Sequence, residues 1–149
     1  HIEQGIAEGA RLVTGGFRYT DPAVAAGNFI PPTIFADVTP EMSIFQQEIF
    51  GPVLCVTKFS TEQEAIRLAN AVDYGLAGGV FTSDARRAQR VAEKIRAGQI
   101  YVNTYYSKGI MESPGVGWKA SGVGGAGITK YMRPKTVFVE LEDGTVPPM

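Results

Sequence analysis

The segment QEIFGPV, residues 47–53, places a carboxylate and a phenyl ring directly before a Gly-Pro turn. Glu48 offers two acceptor oxygens, which can take charge-assisted hydrogen bonds from two neighbouring hydroxyls of a sugar. Phe50 offers a flat apolar surface two residues later. Together the two side chains could hold a ribose and the ring attached to it. Composition alone favours a different interpretation, in which an exposed acid and a core phenylalanine stand beside a turn.

Cys55 is the single cysteine of the chain, and His1 is the single histidine. Leu54 and Val56 flank Cys55 in an apolar run, where a thiol behaves as a small hydrophobe and its pKa rises. We therefore interpret Cys55 as a core residue rather than a nucleophile. His1 stands at the terminus, so no Cys/His or Ser/His/Asp arrangement can be assembled, and we expect no catalytic residue in this chain. Without a CxxC motif or a His/Cys cluster, we also expect no metal site.

Three glycines, Gly122, Gly124 and Gly127, match the GxGxxG spacing of a dinucleotide-binding turn, and Glu142 follows about twenty residues after the first of them. That motif needs a strand before it and a helix after it, because the helix N-terminus binds the pyrophosphate. Here SPGVGWKAS comes before the glycines, and Pro134 follows too soon for a crossover helix. We interpret the segment as a loop, and an independent nucleotide-binding domain is the weakest alternative.

Hydrophobic spacing predicts the elements that must position these residues. The first stretch has a helical spacing that predicts a helix from Ile2 to the Gly15-Gly16 pair. The following stretch, to about residue 47, is rich in Pro and aromatic residues and predicts short strands and turns. PVLCVTKF, residues 52–59, then predicts a strand.

The remainder alternates between helical and strand patterns. Helices are predicted for STEQEAIRLANAVDYG, where Thr61 and Glu64 have capping-box spacing, and for SDARRAQRVAEKIRAG. Strands are predicted for LAGGVFT and QIYVN, and TVFVEL, residues 136–141, reads as a later strand. This βαβαβ order, with strands apolar on both faces, predicts an α/β fold with a mainly parallel sheet covered by helices.

Length and composition limit the class of protein. The 149 residues, 44% of them hydrophobic, predict one domain around a single core. With 14 basic and 15 acidic residues, we expect no nucleic-acid partner. No apolar run reaches the roughly 18–20 residues of a membrane span, and no secretory signal is recognisable, so we expect a cytoplasmic protein without membrane contact. The start at His1 predicts a cut or processed product.

Several motifs, taken in order, resemble the C-terminal part of the NAD(P)-dependent aldehyde dehydrogenase superfamily. The resemblance runs from about Ile2 to Leu141 and rests on FIPPTIF, DVTPEMSIFQQEIFGPVLCVTKF, DYGLAGGVFTSD, AGQIYVNTYY, SPGVGWKASGVG and KTVFVEL. QEIFGPV and YGLAGGVFT are its most specific parts. Within residues 122–135 the chain departs from the family: an Arg-Glu pair is absent, and the stretch before PKTV is several residues shorter.

The resemblance implies roles for particular residues. Glu48 matches the family glutamate that binds the hydroxyls of the nicotinamide ribose of NAD or NADP, and Phe50 matches the ring that packs near the nicotinamide. Tyr105, Tyr106 and Gly115 match the segment that lines the aldehyde entrance. The strand at 136–141 matches one that joins the sheet of a neighbouring subunit, which implies a homo-oligomer.

The resemblance also implies a division of the chain. Residues 1–135 match part of the catalytic domain, and residues 136–149 match the oligomerisation strand and tail. In the family, the catalytic cysteine, the general base and the Rossmann domain precede the matched region. We therefore expect the C-terminal portion of an enzyme that oxidises an aldehyde to a carboxylic acid, inactive by itself. The alternative is a stand-alone, non-catalytic interaction module that retains half of the fold.

Overall fold

The computed structural model describes residues 1–105, 117–122 and 131–139. The chain divides into two units, His1–Ser60 and Thr61–Met149. Each unit has its own cluster of buried apolar residues, whereas the length of the chain predicted a single core.

The first helix, α1, spans Ile2–Ala7 and is shorter than predicted. Gly9 has a φ of 92°, and the amides of residues 9 and 10 bond back to helix carbonyls at 3.1 and 3.0 Å. This is a Schellman motif, in which a glycine in the left-handed conformation ends a helix. The prediction of a helix past Gly9 was therefore wrong, and Arg11–Thr14 form strand β1 instead.

The first unit is built on a three-stranded mixed sheet. Strand β2, Thr33–Ala36, is central and pairs antiparallel with β1 and parallel with β3, Val53–Cys55. Two single-turn helices lie between the strands in sequence, α2 at Pro22–Ala25 and α3 at Ser43–Gln46. The core of this unit consists of four buried residues: Ala10, Phe35, Val38 and Ile44.

The second unit contains the parallel sheet that the sequence predicts. Strand β6, Gln99–Val102, is central and pairs in parallel with β5, Ala77–Val80, and with β8, Thr136–Val139. The helices are α4, Glu62–Ala69, and α5, Ala85–Lys94, and a two-stranded ladder joins β4, Tyr74–Gly75, to β7, Trp118–Lys119. The core of this unit is made by Ala88, Val91, Ala92, Ile95, Ala97, Ile100 and Val102.

Burial differs among the strands that were all predicted to be covered on both faces. Every residue of β6 is buried, as expected for the central strand of a parallel sheet. Strand β3 belongs to the sheet of the first unit. The face of β3 that carries Leu54 is exposed to solvent, because Leu54 is 57% exposed. The sequence pattern predicted the strands correctly, but it placed β3 in one sheet with β5 and β6, which was wrong.

Strand β8 pairs with β6 of its own chain over four residue pairs. Lys135, directly before β8, donates from Nζ to three carbonyls at the end of α5, those of Ala92, Glu93 and Ile95, at 2.8, 2.9 and 2.6 Å. Its ammonium group lies 5.0 Å from the centroid of the Trp118 ring, whose Nε1 donates to the carbonyl of Pro134 at 2.8 Å. These contacts fix the entry of the chain into β8.

Two features are absent from the described parts of the chain. Among those residues, none of the helices has the length and apolarity needed to span a bilayer. Across the same residues, His, Cys, Asp and Glu side chains form no group of three that could hold a metal ion.

Candidate functional site

Glu48 and Phe50 lie on the segment that joins α3 to β3 in the first unit. Backbone hydrogen bonds fix both ends of this segment: Gln47 N to Ser43 O at 2.9 Å and Thr33 N to Pro52 O at 2.8 Å. Between Glu48 and Phe50, Ile49 packs against the core of the first unit. The segment is thus anchored through Ile49, while Glu48 and Phe50 are both exposed.

The phenyl ring of Phe50 is exposed to solvent, and the backbone of this residue is strained. Phe50 is 92% exposed and has a φ of 51°. A left-handed backbone costs a residue other than glycine about 1–2 kcal/mol, and such strain concentrates at functional sites. The interpretation of Phe50 as a core residue was therefore wrong, and the ring is available to a ligand.

This segment presents a hydrogen-bond acceptor and an apolar surface side by side to solvent. The exposed carboxylate of Glu48 can accept hydrogen bonds from two hydroxyls, and the exposed ring of Phe50 offers an apolar surface within two residues. Neither group is buried in an interior network, which would have excluded such a role.

Cys55 lies on the core-facing side of β3. It is partly buried and packs against the apolar cluster of the first unit. Burial raises the pKa of its thiol above the ordinary value of 9.0. A raised pKa leaves little thiolate at neutral pH, so the structure supports the interpretation of Cys55 as a core residue.

Tyr105 follows β6 in the second unit and is 74% exposed. Its ring lies 6.2 Å from that of Tyr101, which in turn stacks on Phe138 of β8 with centroids 5.3 Å apart. Tyr101 is only 1% exposed, so one side of Tyr105 is supported by a buried ring. The other two residues of the predicted aldehyde entrance, Tyr106 and Gly115, lie outside the described residues.

Sequence reasoning did not single out Asn103, which fixes the backbone just before Tyr105. Asn103 has a φ of 55°, accepts a hydrogen bond from the amide of Thr82 at 2.8 Å, and donates one to the carbonyl of Thr82 at 3.0 Å. This pair of bonds ties the end of β6 to the segment after β5. The only sequence signal was an asparagine directly after a strand, a type that tolerates positive φ.

The glycine motif is described only at its first position. Gly122 follows β7, and its amide bonds to the carbonyl of Lys119 at 3.1 Å, which closes a tight turn. Gly124, Gly127 and Glu142 lie outside the described residues, so the loop interpretation of the whole motif stays a prediction.

A groove in the second unit was also not predicted. It has a volume of about 550 Å³ and lies along α5, the carboxyl ends of β5 and β6, and β8. Its lining combines the apolar side chains of Val102, Val137 and Val139 with polar ones from Thr82, Gln89 and Asn103. Val137 and Val139 are 41% and 54% exposed, so the groove leaves apolar surface of β8 open to solvent.

Comparison with known proteins gives a consistent family. The sequence profile described as the aldehyde dehydrogenase family matches residues 1–137. A betaine aldehyde dehydrogenase of Sinorhizobium fredii is 48% identical over 145 residues, which cover 95% of this chain and 29% of that protein. The chain therefore spans about 29% of the length of that curated relative.

Solved structures agree with the sequence comparison. A betaine aldehyde dehydrogenase of Staphylococcus aureus in complex with NAD⁺ superposes with a TM-score of 0.78 at 42% identity, covering 83% of this chain and 24% of that one. An aldehyde dehydrogenase of Mycobacterium tuberculosis complexed with NAD⁺ gives a TM-score of 0.76 at 46% identity, covering 83% and 25%.

Proposed function

Since this chain belongs to the aldehyde dehydrogenase family, we propose that it supplies the C-terminal part of an NAD(P)-dependent enzyme that oxidises an aldehyde to a carboxylic acid. The observation that carries this proposal is the anchored segment with exposed Glu48 and Phe50. The NAD⁺ complexes of similar enzymes support the choice of a nicotinamide cofactor.

Each of the two residues has a separate task in the proposed site. The carboxylate of Glu48 accepts hydrogen bonds from the ribose hydroxyls, which fixes the sugar and the ring attached to it. Phe50 packs near the nicotinamide and excludes water from that side. When bound, the nicotinamide supplies the hydride acceptor for the oxidation. The residues of this chain thus bind and orient the cofactor.

The aldehyde entrance is a separate part of the proposal, and it begins at Tyr105 in the second unit. Its exposed ring, backed by Tyr101, borders the aldehyde entrance together with Tyr106 and Gly115. Betaine aldehyde, the substrate named for several similar enzymes, carries a quaternary ammonium group. An aromatic ring can bind such a cation through its face. Betaine aldehyde is therefore the first substrate to test.

The 149-residue chain alone should not catalyse the oxidation of an aldehyde. We expect no NADH absorbance at 340 nm when the purified chain is mixed with betaine aldehyde and NAD⁺, because Cys55 is partly buried and its thiol pKa is raised. Cys55→Ser is the matched control. Turnover that disappears in Cys55→Ser would overturn both the predicted inactivity and the core interpretation of Cys55.

The cofactor role is tested in the longer enzyme that carries this segment. Glu48→Gln keeps the size of the side chain and removes its charge, so the KM for NAD⁺ should rise about tenfold while the KM for the aldehyde changes little. Glu41→Gln, at another exposed acid of the first unit, serves as the control. An unchanged KM for NAD⁺ in Glu48→Gln would contradict the proposal.

We also propose self-association through the strand predicted at 136–141, with residues 1–135 as the catalytic part and 136–149 as the oligomerisation strand and tail. Support comes from β8, which is the outer strand of its described sheet and has exposed valines. An unpaired strand edge with apolar side chains favours pairing with another chain. Among the described residues β8 pairs with β6 of the same chain along one edge, and we propose that the contact with a second copy involves its other edge.

A further inference from the structure

The carboxylate of Glu8 makes a contact that sequence reasoning did not anticipate. Glu8 caps the end of α1, and its Oε2 accepts hydrogen bonds from the amide and the hydroxyl of Ser43 at 2.7 and 3.0 Å. Its Oε1 accepts a third from Gln4 Nε2 at 2.7 Å. The bond from Gln4, followed by those from Ser43, holds the pKa of Glu8 below its usual 4.5. The carboxylate is therefore charged at neutral pH.

In a second contact, α1 packs closely against α3. Gly5 is buried, and a Cβ placed on it would come within 2.8 Å of Cδ1 of Ile44, itself a buried residue of α3. The absence of a side chain at Gly5 thus permits the close approach of the two helices. This packing brings the end of α1 to Ser43, the first residue of α3.

Helix α3 depends on such external contacts because it has only four residues. A single helical turn is not stable in water on its own, and its first amides have no partner within the helix. Glu8 supplies a charged partner for the amide of Ser43. The carbonyl of the same Ser43 then accepts the amide of Gln47, the residue directly before Glu48.

From this chain of contacts we propose that Glu8 is a positioning residue for the segment that carries Glu48 and Phe50. It fixes Ser43 from the end of α1, and Ser43 fixes the start of the segment through Gln47. In this proposal Glu8 acts through Ser43 and not by contact with the cofactor. The effect of Glu8 on cofactor binding rests on the proposed function. Its effect on the position of residues 43–50 does not.

Hydrogen exchange of the 149-residue chain, measured by mass spectrometry, tests directly whether Glu8 fixes residues 43–50. Glu8→Ala should raise amide exchange in residues 43–50 about tenfold, because it removes a charge-assisted partner of the Ser43 amide. Glu8→Gln should give a smaller rise, since its amide oxygen can still accept. Glu3→Ala, on the same helix, is the control and should change nothing. Unchanged exchange of residues 43–50 in Glu8→Ala would overturn the proposal.

A general loss of folding would be visible in the same data. If Glu8→Ala also raises amide exchange in β2, the milder variants Glu8→Gln and Ser43→Ala show whether the effect of Glu8 is local. A rise confined to residues 43–50 in either of them supports the proposal. The absence of any rise in both overturns it.

Binding of nicotinamide riboside, followed by NMR of Phe50, tests the link with the cofactor. We expect Glu8→Ala to weaken the binding about threefold or more, and Glu8→Gln to restore part of it. Binding unchanged in Glu8→Ala would overturn the positioning role. If the unsubstituted chain shows no shift at Phe50, the proposed cofactor role of the segment fails, while hydrogen exchange still decides whether Glu8 holds it.

Discussion

Phe50 combines two unfavourable features, an apolar ring in solvent and a positive φ, which together support the proposed role of this residue in binding a ligand. Phe50→Gly should therefore stabilise the chain. Glycine relieves about 1–2 kcal/mol of backbone strain and costs about 0.5–1 kcal/mol in unfolded-state entropy, which leaves a net gain of about 0–1.5 kcal/mol. Urea denaturation measures the free energy of unfolding.

The matched comparison for this prediction is Phe50→Val, in which a β-branched residue must adopt the same positive φ. Phe50→Val should unfold at a lower urea concentration than Phe50→Gly, and both should bind nicotinamide riboside less well than the unsubstituted chain. A Phe50→Gly chain that is clearly less stable than the unsubstituted one would show that the ring contributes to folding.

Cys55 gives a prediction with a defined pH dependence. Its thiol should react with iodoacetamide more slowly in the folded chain than in urea, because burial raises its pKa and limits access. The folded state favours the protonated thiol, so this contribution to stability is present below the ordinary pKa of 9.0 and is lost as the pH rises through the folded pKa. Equal alkylation rates in the folded and unfolded chain would contradict this account.

The candidate site could be predicted from sequence only in part. Glu48 and Phe50 stand two residues apart beside a Gly-Pro turn, so local sequence was enough to suggest a binding segment. Local sequence did not identify Glu8 and Asn103, because their hydrogen-bond partners are 35 and 21 residues away along the chain. An acid or an amide gives no sign of such a distant contact, which depends on the folded arrangement of the helices and strands.

At the scale of elements, Lys135 connects β8 with α5. Lys135→Met should lower the free energy of unfolding by about 2 kcal/mol, because three carbonyls at the end of α5 lose a charged donor. Trp118, the single tryptophan, lies beside the ammonium group and reports on the change. Urea unfolding followed by its fluorescence gives the measurement.

The control for this element is Lys94→Met, which removes an exposed lysine from the last turn of α5. It should change the stability by no more than about 0.5 kcal/mol, as is usual for surface substitutions. Equal losses in Lys135→Met and Lys94→Met would show that the carbonyl contacts do not hold β8.

Elements were predicted more reliably than their ends and partners. The capping residue Thr61 marked the start of α4, and its hydroxyl accepts the amide of Glu64 at 3.1 Å. The end of α1 was missed because the helical spacing continues past Gly9, where backbone conformation decides. The partner of β3 was missed because an apolar pattern defines a strand without specifying which strand it pairs with.

At the scale of the whole molecule, apolar side chains are exposed in both units. Large ones include Phe17, Phe29, Leu54, Phe59, Phe81 and Val139. Contiguous apolar patches mark contacts with other protein, whereas single exposed apolar side chains are common on protein surfaces. The chain spans 29% of the length of its curated relative.

The proposed self-association therefore has a direct test. Sedimentation of the purified chain should depend on its concentration, because the outer edge and the valines of β8 favour pairing with a second copy. The double substitution Val137→Lys, Val139→Lys should shift the chain to a monomer. Ile30→Lys, at an exposed residue of the first unit, is the control and should not. A monodisperse monomer for the unsubstituted chain would contradict the proposal.

The most direct test of the central claim is an NMR titration of the 149-residue chain with nicotinamide riboside. We expect weak binding, with a Kd of about 1–10 mM, that shifts the signals of Glu48 and Phe50. Glu48→Gln should weaken this binding about tenfold, whereas Glu41→Gln should leave it unchanged. Shifts that are absent from Glu48 and Phe50, or that persist equally in Glu48→Gln, would contradict the account.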